Sequence, residues 1–274
     1  MTGRPVAADG AGKLALVTGA SAGLGAAFAR AYAARGFDVA LAARRADRLE
    51  ALAIELRSRH GVDAFAVVVD LSEWEAHVPL MAAIAARGRS VDVLVNNAGF
   101  GIARDFTAVP WARQRDFLMT LAVNACGLAY DVIPGMAARG SGAIINVASL
   151  AAFSPGVAGN SLYPGVKSLM VKFSQSLDAE YRAAGVRVTA ICPGFTRTEF
   201  AAEAGIQEIM ERESRLFFQT AEAVVETAIR ANERGRVVVV PGWHNKVAAA
   251  LMRGLPEPIV RRIIAAGSAK YHLD

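Results

Sequence analysis

Short apolar runs alternate along this chain with longer stretches in which apolar residues recur every three or four positions. Lys13-Leu-Ala-Leu-Val-Thr18 is the first run, and an Ala-rich periodic stretch carries on to Arg35. Asp38–Ala43, Asp63–Val69, Val91–Val95, Ala143–Ala148, Gly185–Cys192 and Arg236–Val240 repeat the short apolar pattern, which reads as buried strand. Ala46–Arg59, Glu73–Arg87, Trp111–Arg139, Leu162–Tyr181 and a segment from Ala221 carry the helical period. Strands that are apolar throughout, joined through helices by short connections, predict a parallel sheet covered on both faces. Right-handed crossovers then give a doubly wound α/β sheet of about seven strands, with ligands at the strands' carboxyl ends. Thr18, Asp70, Asn96, Ser149 and Pro193 all fall at such ends.

No repeat and no linker divides the chain. Residues 1–12 read as a loose leader and 13–241 as one domain, with a mobile lid over an apolar substrate near 195–220. Residues 242–274 read as a helical extension of two amphipathic pieces bearing Lys246, Arg253, Arg261, Arg262 and Lys270. Of 274 residues, 54% are hydrophobic and 20% charged, which excludes disorder for most of the chain. No uncharged apolar run reaches the ~18 residues of a membrane span, and the leader lacks a signal peptide's apolar core. Cys126 and Cys192 sit among apolar residues without metal-ligand spacing, and are expected to be reduced thiols of a cytoplasmic protein. The net charge of +5 is spread, with no aromatic-interleaved basic stripe, so no nucleic-acid partner is expected. The basic tail could lie on an anionic membrane. Its Ala- and Gly-rich pieces argue instead for packing on the body or on a neighbouring subunit.

Two stretches carry chemistry. Gly19-Ala-Ser21-Ala-Gly23-Leu24-Gly25 joins the first strand to the first helix, the setting of a phosphate-binding turn. The second strand ends at Ala43, where an acidic residue would hold the 2′-hydroxyl of NAD. Arg44 and Arg45 follow instead, and guanidinium forks suit the 2′-phosphate of NADP. Farther on, Tyr163 and Lys167 lie four apart and share one helix face. A tyrosine titrates near pH ~10, and a neighbouring ammonium is expected to lower that value enough for acid–base work near neutrality. Ser149, at the end of its strand, could hydrogen-bond the same reacting oxygen. Asn124, amid apolar neighbours on the long helix, is either a satisfied core amide or part of a solvent relay.

Together these residues resemble the short-chain dehydrogenase/reductase family over roughly residues 13–241. Thr18-Gly-x-x-x-Gly-x-Gly25, Asp70, Asn96-Asn97-Ala98-Gly99, Asn124, Ser149, Tyr163-x-x-x-Lys167 and Pro193-Gly194 stand in family order and spacing. The resemblance implies a ketone–alcohol oxidoreductase using NADP(H), with NAD(H) also possible, assembled as a homodimer or homotetramer through its long helices. It implies that Gly19, Ser21, Gly23, Leu24 and Gly25 hold the pyrophosphate, and that Arg44 and Arg45 select NADP. Asp70 and Leu71 would meet the adenine, and Asn97, Ala98 and Gly99 would back the cofactor. Pro193, Gly194, Thr196 and Thr198 would flank the nicotinamide. Tyr163 would exchange the proton, Ser149 polarise the substrate oxygen, Lys167 tune the tyrosine and bind the ribose, and Asn124 hold a relay water.

Three positions depart from the family pattern. Pro164-Gly165-Val166 precedes Lys167 where Ala-Ser or Ala-Thr is common. A proline inside a helix costs ~3 kcal/mol but little in the first turn, so the helix is predicted to start near Asn160 or Ser161. Ala22 replaces a basic residue common in NADP users, and Thr196 a usual Val or Ile. The pattern Val239-Val-Pro241-Gly-x-x-Asn245-Lys246 is similar to oxoacyl and hydroxysteroid reductases, and with the apolar lid it favours a hydrophobic ketone. The competing expectation is a regulatory protein that senses NADPH without turnover, which would have no need of a proton donor.

Overall fold

The computed structural model describes residues 10–156, 158–196 and 218–268. Seven strands form one parallel sheet: β1 Leu14–Thr18, β2 Asp38–Ala43, β3 Ala64–Val68, β4 Val93–Asn96, β5 Gly142–Val147, β6 Val186–Ile191 and β7 Val238–Val239. Their order is β3-β2-β1-β4-β5-β6-β7, so the chain reverses its direction of winding between β1 and β4. Register brings Thr18 opposite Ala42 and Asn96 opposite Asn146, which aligns the carboxyl ends along one edge of the sheet. That edge, at the reversal, is where a doubly wound sheet opens a crevice.

Alternation along β1 explains the two layers. Ala15 and Val17 pack with Phe28 of α1 (Gly23–Ala33), Leu49 of α2 (Ala46–His60) and Val224 of α7 (Ala221–Glu233). Leu14 and Leu16 face the other way, toward Leu80 of α3 (His77–Ala85) and Leu128 and Met136 of α5 (Asn124–Ala138). All five residues of β1 are buried, as a strand covered on both faces requires. Truncating Leu14 or Leu16 to alanine would cost about 2–5 kcal/mol each.

The long helix predicted over Trp111–Arg139 forms as α4 (Trp111–Leu118), a π-helical turn (Met119–Val123) and α5. The continuous stretch Trp111–Ala138 is long and apolar enough to cross a membrane, but more than half of its apolar window is buried inside the domain. Two boundaries differ from the sequence reading, each for a local reason. The third helix begins at His77 rather than Glu73, because Asp70 accepts hydrogen bonds from the Ser72 amide and hydroxyl and Glu75 takes a positive φ of 50°. The helix bearing Tyr163, α6 (Tyr163–Tyr181), begins later than Asn160 or Ser161. A start at Asn160 would put the Pro164 ring against the carbonyl of Asn160 and leave that carbonyl without a donor. Starting at Tyr163 places Pro164 in the first turn, where an amide proton would have no intrahelical partner.

The last strand shrinks from the predicted Arg236–Val240 to two residues, a short edge closed by Pro241. Beyond it, α8 (Trp243–Gly254) and α9 (Glu257–Ser268) make up the described part of the C-terminal extension.

Candidate active site

A cleft of about 800 Å³ runs along the carboxyl ends of the strands, from the Gly19 turn to the inner face of α8. At its first end, β1 turns into α1 through Gly19 (φ 64°) and Gly23 (φ 53°), a left-handed backbone that favours glycine. A Cβ on Gly19 would stand 2.9 Å from the Cα of Ala98, and one on Gly25 would stand 2.1 Å from the Gly19 carbonyl oxygen. Gly19 and Gly23 therefore line the cleft with Ser21 and Leu24. Gly25, read from sequence as a cofactor contact, is not on the wall: its bare Cα lets α1 pack against the turn. The first turn of α1 has neither a capping side chain nor an acidic residue, so its amide donors face the cleft open to an anion.

Crosslinks between β1 and β4 fix this turn. Thr18 Oγ1 donates to the Val95 carbonyl and accepts from the amides of Asn97 and Ala98, both at 3.0 Å. Asn97 Nδ2 donates to the Thr18 carbonyl at 2.8 Å. Asn96 points the other way, donating to the Ala125 carbonyl and to Asn146, which in turn donates to Ser174 on α6.

Arg44 and Arg45 border the same end. The Arg45 guanidinium donates to Ser21 Oγ at 2.9 and 3.1 Å, bracing the glycine turn. Arg44 lies 3.8 Å from Asp70 across the mouth, with both side chains well exposed. Burial would raise the Asp70 carboxyl, but the Ser72 hydrogen bonds, helped by Arg44 and Arg113, hold it below its ordinary range. Leu71 and Gly99 complete this part of the wall.

Ser149, Tyr163 and Lys167 meet at the far end. Ser149 leaves β5 and caps the following turn, its Oγ accepting from the Ala151 amide at 3.1 Å. The same hydroxyl hydrogen-bonds Tyr163. Lys167, one turn along α6 and only 7% exposed, donates to the Val147 carbonyl at 2.8 Å, with Nζ 5.5 Å from the Tyr163 ring centroid. Phe117 of α4 backs the tyrosine ring at 6.3 Å between centroids.

The electrostatics reverse one sequence expectation. Burial raises the Tyr163 phenol above its ordinary value, and the Ser149 hydrogen bond opposes this only in part. The ammonium does not win, because its hydrogen bond goes to Val147 rather than to the phenol. Burial likewise pushes Lys167 down to about 8. Cys192 beside it is a free, buried thiol that burial raises to about 12.

The side chain of Asn124 is a satisfied core amide. It is fully buried and lies off the cleft wall. Its amide donates to the Leu71 and Glu73 carbonyls and accepts from the His77 amide, tying the first residue of α5 to the start of α3. Pro193 accepts from the Leu150 amide at 2.8 Å, and Gly194 packs where a Cβ would meet Asn245 at 2.4 Å. Pro193, Gly194 and Thr196 line the cleft. Thr198 and residues 197–217 of the expected lid lie outside the described residues.

Sequence reasoning missed the C-terminal wall. Asn245, Ala248 and Met252 of α8 and Ile264 of α9 line the cleft together with Ile102 and Leu150. Their spacing of three to four was visible as amphipathicity, but which element the apolar face covers was not.

A glycine turn at the open start of a helix, guanidinium groups beside it and a buried Tyr–Ser–Lys set define a class: a nicotinamide-dependent oxidoreductase of alcohols and ketones. Comparison with known proteins agrees. The family model described as short chain dehydrogenase matches residues 13–209. An uncharacterized oxidoreductase of Myxococcus xanthus is 33% identical over 90% of this chain and 94% of its own length. An NADP-dependent 3-hydroxy acid dehydrogenase of Salmonella typhi is 36% identical over 69% of this chain and 75% of its own. A solved short-chain dehydrogenase from Sphingobium yanoikuyae, in complex with NADPH, superposes with a TM-score of 0.79 at 29% identity, covering 96% of this chain and 98% of that one. This chain belongs to the short-chain dehydrogenase/reductase family and is an NAD(P)-dependent oxidoreductase. That membership removes the NADPH-sensing regulator as a reading.

Proposed function

We propose that this protein is an NADP(H)-dependent reductase of bulky, apolar ketones, working in the cytoplasm. One observation carries the reading: a tyrosine hydroxyl, kept protonated by burial, shares a hydrogen bond with Ser149 inside a cleft whose far wall is apolar. Nicotinamide supplies or accepts the hydride. Everything else falls to side chains. Ser149 donates to the substrate oxygen and orients it, and Tyr163 passes its proton to that oxygen as negative charge builds there. Lys167, charged below about pH 8, stabilises the phenolate left behind and binds the ribose. A phenol protonated at rest is loaded for the reductive direction.

The residues fit the cofactor. Gly19, Ser21, Gly23 and Leu24 hold its pyrophosphate on the open N-terminus of α1. Arg44 meets the 2′-phosphate and Arg45 holds Ser21 beneath it, while Asp70 and Leu71 border the adenine. Asn97, Ala98 and Gly99 back the middle, and Pro193, Gly194 and Thr196 flank the nicotinamide.

The wall supports the substrate class. Among the described lining residues, Arg44 and Arg45 stand at the adenine end and Lys167 beside the tyrosine, whereas Ile102, Met252 and Ile264 form the substrate end. Among the described residues a hydroxy acid would find no lysine or arginine at that end for its carboxylate. Free Cys126 and Cys192 support a reducing compartment. Exposed Val123, Tyr130 and Leu169 on α5, its π-helical turn and α6 support assembly as a homodimer or homotetramer. The test is NADPH oxidation against two panels, bulky apolar ketones and short oxo acids, with Tyr163→Phe as control. Turnover confined to the ketones supports the reading; turnover of the acids alone refutes the substrate class, and no turnover of either refutes the activity.

A further inference from the structure

We propose that the outward faces of α8 and α9 dock this protein on an anionic lipid bilayer. The inner faces already have partners. Asn245 and Ala249 are buried against the domain, and Met252 and Ile264 line the cleft. Among the described residues the outer face of α8 has none: Trp243, Val247 and Leu251, spaced four apart and so on one side of the helix, are 78%, 52% and 52% exposed. On α9, Ile259 and Ile263 are 46% and 60% exposed. Five of the fifteen exposed large hydrophobic side chains among the described residues thus fall on these two short helices. This density is beyond the scatter of single apolar residues that any surface carries.

Charge selects the occupant. Across residues 243–268 the ionised side chains are Lys246, Arg261, Arg262 and Arg253, the last lying over the Phe153 ring of the domain, against one carboxylate, Glu257, which is paired to Arg261. A second copy docked symmetrically through this face would bring the same cations together. An anionic bilayer complements them, takes up the aliphatic side chains, and suits a tryptophan at its interfacial depth. The family match ends at residue 209, so α8 and α9 lie beyond it. Docking does not depend on the reductase reading. If that reading holds, docking also sets the apolar end of the cleft beside the phase in which an apolar ketone dissolves.

Vesicle flotation of the full chain tests this, with phosphatidylcholine alone or mixed with phosphatidylglycerol. Flotation is expected only with phosphatidylglycerol, and is expected to fall steeply in high salt. Trp243→Ser/Leu251→Ser abolishes it, and Lys246→Gln/Arg262→Gln lowers partitioning by roughly 30-fold. All four side chains lie off the cleft wall, so circular dichroism and NADPH binding stay unchanged and exclude misfolding as the cause. A chain that stays in the aqueous layer with both vesicle types overturns the proposal. So does flotation that neither double variant weakens. If instead sedimentation shows a dimer that Trp243→Ser/Leu251→Ser dissociates, with no vesicle binding, a second copy owns the face and the proposal falls.

Discussion

The two ends of the cleft hold similar groups under opposite conditions. At the inner end, Lys167 is almost fully buried and its amine is pushed down to about 8, while burial raises the Tyr163 phenol. At the outer end, Arg44 and Asp70 keep 61% and 40% of their side-chain surface exposed and stand 3.8 Å apart. An exposed pair of that kind contributes about 0–1 kcal/mol and is screened by salt. Interactions at the sealed end are strong enough to set protonation states. Those at the open end are weak until a ligand arrives, which suits groups that select a phosphate rather than hold the fold.

The contrast is broken most sharply at the tyrosine. Tyr163→Phe is expected to lower kcat by about 10²–10⁴-fold while NADPH affinity is retained, measured by steady-state kinetics and fluorescence titration. A phenylalanine variant with wild-type turnover would remove the inner end from the chemistry. Ser149→Ala follows, with a loss of about 10²–10³-fold from one missing donor to the reacting oxygen. Its NADPH affinity should again be unchanged.

Lys167 sharpens the comparison by sign. Its folded-state pKa, about 8, lies below the ordinary 10.5. Between those values the unfolded chain binds the extra proton, so this residue's contribution to stability rises with pH across the window. Below about pH 8 the buried ammonium is a standing cost to the fold. Replacing it with methionine should therefore change Tm most favourably near neutrality, relative to wild type, and the advantage should shrink toward pH 10.5. A Tm difference that stays flat over that range would mean that Lys167 titrates like an exposed lysine.

The legibility of these features in the sequence has a physical pattern. β2 formed over Asp38–Ala43 as read, because a fully buried parallel strand is apolar at every position and is bounded by a glycine turn and a charge pair. The one-turn spacing of Tyr163 and Lys167 was equally plain, since helical geometry converts four residues into a shared face. The direction of the tyrosine's shift was not, because it depends on how deeply α6 packs and on Lys167 bonding Val147, which are tertiary facts. Asn124 shows the same limit. An amide among apolar residues announces a partner, but Leu71, Glu73 and His77 lie about fifty residues away, so the sequence left open whether the partner was backbone or water. Glycines divide similarly: Gly19 and Gly25 looked alike, and only the packing of α1 separates a wall of the cleft from a contact behind it.

The smallest effect is expected at the open end, and there the two arginines should separate. Arg44 touches Asp70 alone among the described ion pairs, so Arg44→Ser should leave Tm nearly unchanged. It should weaken NADPH binding by about 10-fold, the worth of one charge-assisted contact to phosphate, and leave NADH binding as it was. Arg45 is tied to Ser21 in the glycine turn, so Arg45→Ser should weaken both cofactors together. Raising the salt concentration should mimic Arg44→Ser for NADPH, since both remove an exposed attraction, while turnover at saturating cofactor stays constant because the sealed end is shielded. Equal losses for NADPH and NADH in Arg44→Ser would show that Arg44, like Arg45, supports the turn rather than reads the 2′-phosphate.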